Sequence, residues 1–94
     1  MDARSAIAAA RDYITETFAD EGIFNVGLEE LEFDDVNRIW SVTIGFSRPW
    51  DQVRNALFGT MSTAPEQARR AFKVVSLRDD GTVLSLKNRE PVTS

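Results

Sequence analysis

Glu30, Glu32 and Asp34 occupy alternate positions, so on an extended backbone their three carboxylates project from one face. Convergent acids are the residue types for general acid–base work or for holding a hard cation. Acid–base catalysis needs a carboxyl whose proton affinity is displaced, and displacement needs burial or a fixed partner. Acids on a solvated strand face have neither, so the expectation is a charged recognition surface. A second acidic cluster, Asp79-Asp80-Gly81, fails as a calcium loop. With Gly81 at the loop glycine, Lys87 falls where the bidentate acid belongs. The chain has no histidine and no cysteine, which excludes the usual zinc ligand sets, thiolate chemistry and a histidine base for a serine or threonine nucleophile. Its five glycines form no phosphate-binding loop, and nothing pairs Lys73 or Lys87 with a serine. No catalytic residue, cofactor or metal is expected, and the chain reads as a non-enzyme.

These acids must be carried by strands. The clearest element has Trp40, Val42, Ile44 and Phe46 on every second position, with Ser41, Thr43, Gly45 and Ser47 between them. Strict alternation describes a strand with one buried and one solvated face. The acidic segment, Leu28 to Asp34, reads as the strand before it, with Leu31 and Phe33 inward. Val26 and Leu28 are out of phase with that pair, which predicts a bulge or a loop near Glu29. The short turn Asp34-Asp35-Val36-Asn37 implies antiparallel pairing. Two further strands, about Ala71 to Arg78 and Thr82 to Lys87, flank the turn at Asp79-Asp80-Gly81, where Gly81 can take the required positive φ. Upstream, Ile7, Ala10, Ile14 and Phe18 form one stripe of an amphipathic helix over residues 3–20, with Asp2 as N-cap and Gly22 as left-handed C-cap.

Between the second and third strands lies an insert, Arg48–Arg70, longer than most connections in a compact domain. Pro49 in a first turn, Trp50, Val53 and Leu57 on one face and the Thr63-x-x-Glu66 capping pattern predict that part of it is helical. Trp50, Val53 and Leu57 are expected to pack onto the scaffold as a lid on the core, which leaves Phe58 and Met61 over. As the alternative, Trp50, Phe58 and Met61 are candidate partner anchors, because aromatics and methionine on loops of a rigid scaffold serve recognition. Residues 88–94 contain Pro91 and read as a flexible tail of a single domain spanning residues 1–94.

The third strand is apolar on both faces, with Phe72 and Val74 on one and Val75 and Leu77 on the other. The fourth places Leu84 and Leu86 opposite Val83. One helix covers one face only. With Phe72, Val74 and Val83 toward the helix, Val75, Leu77, Leu84 and Leu86 are left for the insert, a foreign protein or a second copy, and a homodimer is the expected form.

Charge is unevenly spread along the chain. Residues 1–47 hold ten acids against Arg4, Arg11 and Arg38, whereas residues 48–94 hold eight bases against five acids, for a net charge of −4. Arg69, Arg70 and Lys73 make a small basic patch near Phe72, but an acidic domain is a poor nucleic-acid ligand, and none is expected. No membrane partner is expected either, since no apolar run is long enough for a signal segment or a span. The absence of cysteine fits a reducing compartment, and a cytoplasmic location is expected.

The stretches Ala6 to Phe18, Trp40-Ser-Val-Thr-Ile and Phe72-Lys-Val-Val-Ser-Leu-Arg-Asp-Asp-Gly-Thr-Val-Leu, in this order, resemble the PepSY-like group within the broader cystatin-like architecture. That resemblance implies a non-catalytic inhibitory or interaction module. The chain departs from the group in lacking a signal sequence and in carrying the long insert, which argues against a peptidase partner.

The expected fold is α+β, one N-terminal helix on a four-stranded antiparallel sheet in the order α-β-β-insert-β-β. The alternative is a permuted ferredoxin-like sandwich in which the insert supplies a second helix. The expected function is a non-catalytic protein–protein interaction or inhibitory module with a protein partner of unknown identity. Two alternatives stand beside it. One is an immunity-type protein whose acidic face plugs a basic toxin site, and the other is a small carboxylate-based enzyme.

Overall fold

A computed structural model describes residues 1–49 and 70–89 of the chain. One α-helix, α1 (Ala3–Thr17), lies against a four-stranded antiparallel sheet of β1 (Phe24–Asp34), β2 (Ile39–Ser47), β3 (Ala71–Arg78) and β4 (Val83–Asn88), in the order β1-β2-β3-β4. The protein is an α+β domain of the expected order. The ferredoxin-like alternative depends on the insert, and it lies outside the described residues.

The helix starts where Asp2 accepts the Ser5 backbone N–H at 2.8 Å, which satisfies one of the unpaired donors of the first turn. It ends three residues earlier than the spacing predicts. The chain tightens into a single 3-10 turn at Ala19–Glu21, and Gly22 (φ 63°) closes that turn in the left-handed region. The buried stripe is Ala6, Ala10 and Ile14, with Ala3, Tyr13 and Phe18 half-buried beside it. Ala6, rather than the half-buried Ile7, therefore belongs to it. Two alanines with no exposed surface let the helix backbone come close to the sheet.

β2 is the spine of the core. Trp40, Val42, Ile44 and Phe46 are all buried on the helix side, and Leu31 and Phe33 of β1 join them. The faulted phase of β1 is present as two irregularities, one between Phe24 and Gly27 and one between Leu28 and Glu30. The first holds Asn25 at φ 55° and carries the strand four residues upstream of its expected start. The two hairpin turns are closed by carboxylates. Asp34 accepts the backbone N–H groups of Val36 and Asn37, at 3.0 and 3.2 Å. Asp80 accepts that of Thr82 at 2.9 Å, with Gly81 at φ 95°.

β3 faces the other way from the expectation. Its pairing with β2 sets Leu77 beside Trp40 and Val75 beside Val42, so Val75 and Leu77 lie fully buried under the helix. Phe72 and Val74 point to the opposite face. Lys73 shares the helix side, but it lies near the strand end, where its ammonium reaches out over the Phe18 ring at 5.5 Å and toward the Asn88 side chain. Burial first, and then the nearby Arg48, hold that ammonium below the ordinary lysine pKa.

Candidate protein-binding surface

On the sheet face away from the helix, Glu30, Glu32, Ser41, Thr43, Val74 and Arg89 line a shallow depression of about 330 Å³. Strand alternation puts these residues on one side, because Thr43 pairs with both Glu30 and Val74 and Ser41 pairs with Glu32. The floor is not as wet as a polar face predicts: Thr43 is only 3% exposed, and Gly45 is also buried.

Two ion pairs lie across this face. The Arg89 guanidinium, at the end of β4, reaches back over the sheet to the Glu30 carboxylate on β1. Arg70, just before β3, lies 3.7 Å from Glu29 and donates to the Asn25 carbonyl at 2.8 Å. Gly45 lies beneath this second pair. A Cβ there would stand 3.0 Å from both the Glu29 side chain and the Arg70 guanidinium, so the glycine lets the pair settle onto the strand. The groups involved are partly exposed, and such pairs are worth little individually. Their effect is to neutralise part of the acidic strand from within the chain.

The three alternating acids therefore have three different fates. Glu30 is paired with Arg89, and Asp34 is consumed by the hairpin turn, where it also accepts the Asn37 amide at 2.9 Å. Glu32 alone of the three has neither an ion pair nor a side-chain hydrogen bond among the described residues. A concerted acidic plug of all three is not what the chain presents. The basic patch divides as well, because Arg70 and Lys73 lie on opposite sides of the sheet, and Arg69 lies outside the described residues.

The expected apolar outer surface is corrected in the same way. Val75 and Leu77 have no exposed surface, and Leu86 pairs with Val75 and packs half-buried against the core. The physical reason is the β2–β3 register, which turns the odd-numbered β3 residues toward the helix. Leu84 stays accessible at 40% exposure. The β3–β4 ladder shifts between Ser76 and Leu77, so Leu84 becomes an extra residue and is separated from Leu86. It lines a second depression, with Ile39, Arg78 and Asp79 among its neighbours. Trp50, Phe58 and Met61 lie outside the described residues.

Sequence reasoning missed Arg89, Thr43 and Val74. The signal for Arg89 is its place beside Phe72, whose carbonyl accepts the Arg89 backbone N–H at 2.9 Å. That neighbourhood is legible only once the β3–β4 register is known.

Asp79 gathers the donors at the hairpin end. It accepts the Trp40 indole N–H at 3.2 Å and the Arg38 guanidinium at 3.1 Å, and the Met1 nitrogen lies 3.5 Å away. The Trp40 bond is the main reason its carboxyl holds a proton less tightly than usual. Asn37 does the same for Asp34, Thr82 for Asp80 and Ser5 for Asp2. All four move away from the direction a general acid at neutral pH requires. Lowered folded pKa values contribute stability that is present above the unfolded value and lost as pH falls through the folded ones. The denaturation midpoint is thus expected to hold from neutrality to about pH 5 and to fall below about pH 4. Asp79→Asn should flatten part of that fall, and a midpoint that rises on acidification contradicts the assignment.

Among the described residues no helix is long and apolar enough to cross a membrane. No family model, curated protein or solved structure matches the chain.

Proposed function

We propose that this chain is a non-catalytic protein-interaction module, with its sheet as the recognition platform. The observation that carries this reading is the charge polarity of the sheet. β1 bears Glu29, Glu30, Glu32 and Asp34 and no base, while β3 and β4 bear Lys73, Arg78 and Lys87 and no acid. With the Glu30–Arg89 and Glu29–Arg70 pairs set aside, Glu32 on β1 and Arg78 and Lys87 on β3 and β4 stay exposed and without an ion pair among the described residues. Separated fields of opposite sign steer partners and fix their orientation. The PepSY-like resemblance points the same way. A cytoplasmic setting goes with this proposal.

The test is affinity capture from the chain's own cells at graded salt, with the wild type and a variant carrying Lys87→Glu and Arg78→Glu as baits. A stoichiometric partner that is released by salt and lost on charge reversal supports the module. Turnover of a substrate by the purified chain, abolished by Glu30→Gln with the fold intact, would overturn it.

A further inference from the structure

The two edges of the sheet are built differently. β1 is interrupted twice along its length and carries four acids, which are features that keep other strands from adding to an edge. β4 is the opposite edge, and among the described residues no strand pairs with its outer side. The Arg89 N–H bonds to the Phe72 carbonyl and the Arg78 N–H to the Thr82 carbonyl, which fixes the phase of the ladder. In that phase Ser85 and Lys87 exchange bonds with β3, and the backbone groups of Leu86 and Asn88 point outward.

The side chains say what kind of strand the edge accepts. Lys87 and Arg78 project from the face away from the helix, are exposed and make no ion pair among the described residues. On the helix side, Val83 and Leu86 are only half-buried, because α1 lies over β1 and β2 and hardly extends beyond β3. An added strand with alternating side chains would set acids beside Lys87 on one face and prolong the apolar strip past Leu86 on the other. A second copy of β4 brings the same positive charge to the edge and is the poorer match.

From these features we infer that β4 is a docking edge for an extended peptide segment of alternating apolar and acidic residues, taken up by strand addition. The inference rests on the protein-interaction reading and names its partner class. The outward amides of Leu86 and Asn88 supply the register and Lys87 the charge preference.

The experiment titrates the full chain with fluorescent capped peptides of alternating Val and Glu, of alternating Val and Lys, and of Val and Glu with a central proline, while amide exchange is followed residue by residue. The Val/Glu peptide is expected to bind about tenfold or more tightly than the Val/Lys peptide, and the proline peptide to lose binding. Lys87→Glu should invert the preference. On binding, the Leu86 and Asn88 amides should slow, while those of Ser85 and Lys87, already bonded to β3, stay unchanged. Equal binding of the two charged peptides, protection elsewhere, or no binding at millimolar peptide overturns the inference. Dimerisation that protects Leu86 and Asn88 without peptide also overturns it, by making a second copy the occupant. A captured partner that binds the Lys87→Glu variant unchanged removes the edge and keeps the module. Catalytic turnover removes the module whatever the edge does.

Discussion

Leu77→Lys is expected to leave the chain unfolded at neutral pH, and Leu77→Ala to cost about 2–5 kcal/mol in denaturant melts. Leu77 has no exposed surface, pairs with Trp40 and lies under α1, so a lysine there brings a charge into the centre of the core. A domain of this size has about 5–15 kcal/mol in all, so even the alanine removes a large share. Leu84→Lys is the control. Leu84 is 40% exposed, so the charge can stay in water and the midpoint should move little. If instead Leu77→Lys gives a folded chain and Leu84→Lys does not, β3 and β4 present the opposite faces to the helix.

The second large effect belongs to Phe46. Its side chain is fully buried on β2, its ring lies 5.2 Å from that of Phe18, and the Arg48 guanidinium lies over it at 5.3 Å. Phe46→Ala should cost about 3–5 kcal/mol through lost burial and the cavity left behind. Because Phe18 is half-buried at the end of α1, part of that cost is shared between the rings. A double-mutant cycle with Phe18→Ala should return a coupling of about 0.5–1.5 kcal/mol. Additive losses would mean that the helix end is held by other contacts, among which the Arg48–Glu21 pair at 3.0 Å is the first to examine by Glu21→Gln.

These two residues also mark what the amino-acid sequence discloses and what it withholds. Phe46 belongs to a strand whose apolar and polar residues alternate without ambiguity, so its facing is legible from β2 alone. Asp2, Gly22 and Gly81 are legible for a similar reason, since capping and left-handed turns depend on neighbours only a few residues away. β3 is different. In Ala71-Phe-Lys-Val-Val-Ser-Leu-Arg78 both phases are apolar, and periodicity does not choose between them. The deciding facts are the rank of β3 beside β2 and the tolerance of Lys73 at a strand end, where its ammonium escapes the core. The Glu30–Arg89 pair joins residues fifty-nine positions apart. It is illegible for the same reason, because it exists only after three strand registers are set. The acidic alternation is plain in the sequence, but its internal neutralisation is not.

The strand order β1-β2-β3-β4 has a consequence for how the chain can change over generations. Every described strand lies beside its neighbour in sequence, so the sheet can form from the β1–β2 and β3–β4 hairpins. Among the described strands the long closure is the one between Ser47 and Ala71, and it leaves and re-enters at the same end of the sheet, where Phe46 pairs with Ala71. Closure entropy grows with the logarithm of length, at about 0.6 kcal/mol for each doubling. On closure entropy alone a change of length between β2 and β3 therefore costs little, while a single insertion within β2 would turn half its core residues outward. The pairing of the strands thus tolerates a change of length at that connection and holds the register everywhere else along the sheet fixed.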